Sequence, residues 1–355
     1  MTGFLGLTWD HPRGHEALRA APFADLRWDV HSLEGFESSP IDELAGRYDL
    51  IVLDHPHLGD ALASDSLRPL DDLFSADELR AWAAGSVGPS ARSYLVDGQT
   101  WALPLDAATQ VSARRPDLLP VAPATWAEAL ALDVPVAPSL AGPHAFLTFC
   151  SIAVSLGGSL GDGSDDGFFA ADIARDALSI LAELAHGAPD ATRALNPIGL
   201  LELMTATDDL AYVPLVYGYV TYSPAVAFGA PPAGVGPGST IGGTGIAVTR
   251  RSEPTPELLD HLRWLMSPET QTGFIPAHAG QPSARSAWTD PAVDAAAGGF
   301  YSATLGTIEN SWVRPRFAGY IPFQTEASAV IREGLSAAAS DTVSRLATAY
   351  RKARA

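Results

Sequence analysis

The tripeptide Asp-His-Pro occurs twice, as Asp10-His11-Pro12 and as Asp54-His55-Pro56, the second followed by His57. Carboxylates and imidazoles gathered in one place can accept hydrogen bonds from a ligand's hydroxyls, relay protons, or bind a metal. Proline fixes φ and has no N–H, so it stops a strand and holds the preceding Asp and His at the strand's end. Trp9 offers a flat apolar face beside the first tripeptide, suited to stacking on the apolar side of a sugar ring. Arg13 follows at a helix start, where an anionic ligand group would sit well. Each residue also has a plain structural reading. Asp caps helices and proline suits a first turn, while Arg13 would be a surface arginine. His11, His55 and His57 fall in no His-x-x-x-His spacing with one another, so no metal site is expected.

These residues need elements to position them. Residues 3–9 read as a buried strand, 14–20 as a short helix and Asp25–His31 as a second strand. Ile41–Arg47 suits a helix, and Asp49–Leu53 is a short apolar strand. The alternation predicts a parallel sheet packed with helices. With strand order 2-1-3, the two Asp-His-Pro ends lie side by side at the carboxyl edge, where ligands bind in open α/β sheets. Four acid or imidazole groups, plus His57, would then converge on one spot.

Further on, Trp101–Leu105 reads as a short strand ending at Asp106. Thr125 to Leu132 reads as a helix with a capping box between Thr125 and Glu128. Phe146–Leu156 is apolar all round, a buried helix stopped by Gly157-Gly158. Ala171–His186 is helical, and Leu210–Val220 is strand-like, carrying Tyr212, Tyr217 and Tyr219, the last two at alternate positions. Ala230–Gly243 is rich in Pro and Gly and reads as loop. Ile246–Thr249 is a strand, Pro256–Met266 a helix, and the chain is helical from Thr325 onward.

Composition removes whole classes. The 355 residues suit two medium domains, and with 47% hydrophobic and 18% charged residues the chain is no disordered segment. Its 22 basic against 41 acidic residues, a formal charge of −19, repel phosphate backbones and anionic lipid, so no nucleic-acid partner is expected. Cys150, the single cysteine, permits no intrachain disulfide and no cysteine metal site. Lys352, the single lysine, stands three residues from the end, which leaves no Schiff-base or P-loop lysine. No apolar run reaches membrane-spanning length. Met1-Thr2-Gly3-Phe4 runs straight into a strand with no leader-like segment, which implies a cytoplasmic protein. An upstream signal would place it in the periplasm or outside the cell. Two motifs are set aside. Gly157-Gly158-Ser159-Leu160-Gly161 matches a hydrolase pattern but follows a helix rather than a strand. Asp162–Gly167 resembles a calcium loop but has Ser164 and Ile173 where ligands are needed.

From Trp101 to Tyr320 the order of features resembles the family 1 extracellular solute-binding proteins, the maltose-binding-like class. The resemblance rests on Trp101-Ala102-Leu103-Pro104-Leu105, Thr125-Trp126-Ala127-Glu128, the helix ending in Gly157-Gly158, and Gly242 to Val248. It extends to Trp264–Glu269, Gly280–Arg285 and Arg314-Pro315-Arg316. It implies a periplasmic-binding-protein-like fold, two α/β lobes joined by hinge strands with a ligand cleft between them. Lobe one would hold 1–106 and 246–292, and lobe two 107–245 and 293–355. The far wall would come from lobe two, with Tyr217 and Tyr219 as candidates. Asp106 just past the first hinge and backbone N–H groups of Gly243 and Thr244 would join them. His144 and Trp312 are weaker candidates, each suited to a structural role.

The expected ligand set is therefore Trp9, Asp10, His11, Arg13, Asp54, His55, His57, Asp106, Tyr217, Tyr219, Gly243 and Thr244. The leading reading is a cofactor-free, metal-free monomer that closes on a small polar ligand, a carbohydrate, and is read by an ABC permease. The alternative is a cytoplasmic enzyme on the same fold, with Asp10, His11, Asp54 and His55 as acid, base or metal ligands.

Overall fold

The computed structural model describes residues 3–160 and 167–355. Residues 162–166 of the calcium-like segment, and Gly161 of the hydrolase-like pattern, fall outside the described residues.

The chain opens as the hydrophobic pattern requires. Strands β1 (Phe4–Trp9), β2 (Leu26–His31) and β3 (Leu50–Leu53) pair in parallel in the order β2-β1-β3. β3 is buried along its whole length, which accounts for its unbroken apolar sequence. A two-residue hairpin, β4 (Leu95–Val96) and β5 (Gln99–Thr100), precedes the long strand β6 (Leu103–Arg114). β7 (Tyr212–Tyr217) and β8 (Ala227–Gly229) each pair antiparallel with the far half of β6. β9 (Ile241–Val248) pairs antiparallel with β3 on one side and β6 on the other.

Three readings of the sequence need correction. The strand beginning near Trp101 does not end at Asp106; it runs on to Arg114. Register slips between Pro104 and Asp106, so a bulge absorbs the proline and the strand continues. Nor are residues 241–243 loop: they are the first residues of β9. Gly243 has φ +84°, and a Cβ there would lie 2.5 Å from the Asp106 carbonyl oxygen. The glycine that resembles loop sequence is what lets the two long strands pass this closely. The C-terminal helical region also begins earlier than Thr325, as helices Tyr320–Gly334 and Ala339–Arg354.

β6 and β9 are the crossing strands of a two-lobed molecule. Their Leu103/Ile246 ends lie in the sheet with β1 to β3, and their Thr109/Ile241 ends reach the β7–β8 side. The first lobe's core gathers Trp9, Trp28, Leu50, Val52, Leu103, Ile246 and Leu262. On the other side the helix His144–Ser155, buried at every residue but Val154, packs with Ala171–Gly187, Tyr320–Gly334 and Ala339–Arg354. A further cluster joins Val111, Val213 and Val216 to Trp288, Phe300 and Tyr301. The capping box at Thr125 forms as its sequence predicts, Thr125 accepting from the Glu128 N–H and Glu128 from the Thr125 N–H.

Candidate ligand-binding site

The ends of β1, β3 and β7 and the middle of β9 face one another across the crossing strands. They enclose a cavity with about 60 Å³ of free space. One water needs roughly 10–15 Å³ on this measure, so the space holds a handful of water-sized positions.

Trp9 ends β1 and is buried, its ring 5.2 Å from that of Phe36. Pro12 and Gly14 start the next helix. A Cβ on Gly14 would lie 2.5 Å from the Trp9 indole, so the helix can seat here only with glycine. That seating turns Arg13 inward. Its Nε and Nη2 donate to the two oxygens of Asp106, at 2.7 and 2.5 Å, and Nη1 donates to the Gly218 carbonyl at 3.0 Å. The guanidinium lies 4.7 Å from the centre of the Tyr219 ring. Arg13 is therefore buried, with a bidentate partner on a crossing strand and a second partner beyond β7. Burial pushes the Asp106 carboxyl up and would lower Arg13, but pairing with Asp106 raises Arg13 on balance. The bidentate contact fixes the ionised pair, because protonating Asp106 would leave a buried guanidinium without a counter-charge.

Asp54 follows β3 and meets Arg314, which lies ahead of the helix Tyr320–Gly334. Arg314 also donates to Gln324 at 3.1 Å. Burial alone would raise Asp54, but Arg314 and the contact with His55 hold it below the usual carboxylate range. His55 is fully buried, 3.0 Å from Asp54, and is pushed down to about 4 by burial and by Arg314. His57 is lowered as well, again mainly by burial. On the other wall, His144 begins its buried helix and lies 3.0 Å from Glu37 of the helix Leu33–Ser38.

Of the residues the sequence singles out, Trp9, Arg13, Asp54, His57, Tyr217, Tyr219, Gly243 and Thr244 line this cavity. Four do not. Asp10 faces solvent, its side chain 65% exposed and 3.6 Å from His15. His11 caps the following helix, accepting from the Arg13 N–H, and lies edge-on to Tyr219. His55 sits beside Asp54 but outside the cavity wall, and Asp106 stands behind Arg13. The four Asp and His groups therefore do not converge, although β1 and β3 are neighbours in parallel register. The plain reading of Asp10 as a helix cap also fails, because His11 takes that place. Trp312 lies outside the cavity, against the core around Phe169. Phe36, Glu37, Arg314 and Gln324 line the cavity without a local signal. Only Arg314 sat in a segment that drew notice, through resemblance. Among the described residues, no three His, Cys, Asp or Glu side chains come together as a metal site. No helix there is long and apolar enough to cross a membrane.

A larger groove of about 600 Å³ lies on the outer side of the first lobe, between Trp82, Arg263 and Arg285. Its arginines are already paired, Arg263 with Glu78 and Arg285 with Glu309, and the crossing strands do not reach it.

The geometry defines a class: a periplasmic-binding-protein-like fold, two α/β lobes with a cavity between them. Particular solved structures match it along almost their full length. A solute-binding protein of an ABC transporter from Agrobacterium radiobacter, in complex with ribitol, superposes with TM-score 0.82 at 21% identity. The match covers 99% of this chain and 98% of that one. Maltose-bound MalE3 of T. maritima gives 0.81 at 17% identity, covering 99% of both chains. A solute-binding protein from Agrobacterium vitis with bound D-mannitol gives 0.75 at 16% identity, covering 99% and 97%. By sequence, no protein-family model and no curated protein matches the chain.

Proposed function

We propose that this chain is the solute-binding protein of an ABC importer, closing on a small polyhydroxy ligand, a carbohydrate or polyol. The observation that carries the proposal is the cavity itself. It lies between two lobes, at the carboxyl ends of parallel strands, walled by aromatic rings and by polar groups from both sides. Structures of the same fold hold ribitol, maltose and mannitol, which supports the ligand class. The division we propose is 1–106 with 246–292 for lobe one and 107–245 with 293–355 for lobe two, β6 and β9 acting as hinges. Trp9, Phe36, Tyr217 and Tyr219 stack on apolar ring faces, while Asp54, Thr244, His144 and Arg314 bond hydroxyls. The ligand enters by parting of the lobes, because the free space is small and ion pairs span the gap. The closed form is what a permease reads, which places the protein's work on the outer side of the cytoplasmic membrane.

No observation favours the enzymatic alternative, since Asp10 and His11 stand away from the cavity. Titration calorimetry against a panel of monosaccharides, polyols and disaccharides tests the proposal. The expected result is reversible 1:1 binding with the ligand recovered unchanged. Turnover of a bound sugar, or no binding across the panel, overturns it.

A further inference from the structure

Among the described residues, each arginine that faces the cavity is already paired with a carboxylate. Among the described residues two permanent cations line it, Arg13 and Arg314. Asp106 grips Arg13 from behind through two hydrogen bonds, and Asp54 pairs with Arg314. The remaining lining carboxylate, Glu37, lies against His144. An anionic ligand would therefore meet no free cation and would face Asp54 and Glu37.

The polar atoms still able to bond point to the same choice. Arg314 Nε, Thr244 Oγ1 and His144 Nδ1 are buried and make no hydrogen bond within the protein. The first can only donate, the second can donate and accept, and the third does either according to its tautomer. A carboxylate or phosphate uses donors alone and an ammonium uses acceptors alone. A hydroxyl group uses both.

We propose that Asp54 and Asp106 are charge-selectivity determinants, each neutralising a cavity-facing arginine so that the site takes uncharged polyhydroxy ligands and refuses sugar acids and sugar phosphates. This rests on the solute-binding reading above and narrows its ligand class. Asp106 acts without touching the ligand. It is a positioning and neutralising residue, and removing its charge converts Arg13 from a paired group into an anion receptor.

The test compares near-isosteric partners on the full chain by calorimetry: D-glucitol against D-gluconate, and D-glucose against D-glucose 6-phosphate. The neutral member should bind on the order of 100-fold more tightly, the cost of bringing an uncompensated anion into a buried site. Asp106→Asn and Asp54→Asn, checked for native circular dichroism, should each narrow that ratio by about tenfold or more, through gained affinity for the anion. A wild-type protein that binds the acid or phosphate at least as tightly as its neutral partner overturns the inference and leaves the solute-binding reading standing. An unchanged ratio in both folded variants also overturns the assignment to these residues. No binding by any neutral, acidic or phosphorylated sugar overturns the solute-binding reading and this inference with it. The wild-type comparison decides even if neither variant folds.

Discussion

The two Asp-His-Pro segments have the same sequence and end neighbouring parallel strands, yet they meet different fates. After β1, Asp10 turns to solvent and His11 caps a helix. After β3, Asp54 faces the cavity and is tied to Arg314, while His55 is buried beside it. The difference lies in what arrives from elsewhere in the chain. Arg314, some 260 residues away, reaches Asp54, and among the described residues no arginine or lysine pairs with Asp10. The histidines, by contrast, converge: His11 and His55 are both pushed down to about 4, each by burial first and a neighbouring arginine second. A tripeptide thus fixes where its backbone stops. The partners that assemble around it decide its chemistry.

The comparison can be broken most forcefully at the carboxylates. Asp54→Ala should cost about 3–5 kcal/mol in chemical denaturation, because Arg314 is left buried and uncompensated. Asp10→Ala should stay within roughly 0.5 kcal/mol, as for an exposed side chain. Equal effects would remove the distinction between the two segments.

The histidines sharpen it through pH. Their folded pKa values lie below the unfolded value of about 6.5, so between pH 6.5 and 4 the unfolded chain binds more protons. Stability therefore stands in full above pH 6.5, falls as pH drops toward 4, and levels below that. For fully buried His55 the loss amounts to about 3 kcal/mol. Urea titrations at a series of pH values should show His55→Asn and His11→Asn each flattening the acid limb. A limb unchanged in both would mean that neither histidine is held neutral.

A smaller effect separates binding from stability. Thr244 faces the cavity and its hydroxyl makes no hydrogen bond within the protein. Thr244→Val should weaken ligand binding by about 5- to 10-fold while shifting stability by less than about 1 kcal/mol. A pure stability change with unaltered affinity would remove Thr244 from the site. Smallest of all, Asp10→Asn should leave ligand affinity within about twofold by calorimetry, since its side chain is outside the cavity.

Much of the scaffold was legible because its signals are local. The apolar runs at Phe4–Trp9 and Leu50–Leu53, the Thr125/Glu128 cap and the all-apolar Phe146–Leu156 segment depend only on neighbours in sequence. The strand order 2-1-3 was a supposition in the sequence reading, and the structure has it. The long crossing strands were misread because Pro104, Asp106, Gly242 and Gly243 carry loop-like signals. A bulge, a buried ion pair and a close backbone approach override them. Arg13, Asp54, Tyr217 and Tyr219 could be placed near a cleft as ends of predicted elements. Glu37 and Gln324 could not, since each stands inside or beside an ordinary helix.

Taken alone, the sequence determined many of the elements, their parallel βαβ start, the acidic charge balance, and a single cysteine and single lysine that leave no intrachain disulfide and no P-loop lysine. These depend on composition and on periodicities read within a few residues. Only the tertiary structure decided which charges are paired, which histidine sits behind the wall and which tyrosines face the gap. Those outcomes depend on contacts between segments such as Arg13 with Asp106 and Arg314 with Asp54, separated by 93 and 260 residues. In a low-dielectric interior the partner, rather than the residue type, sets a side chain's charge and role.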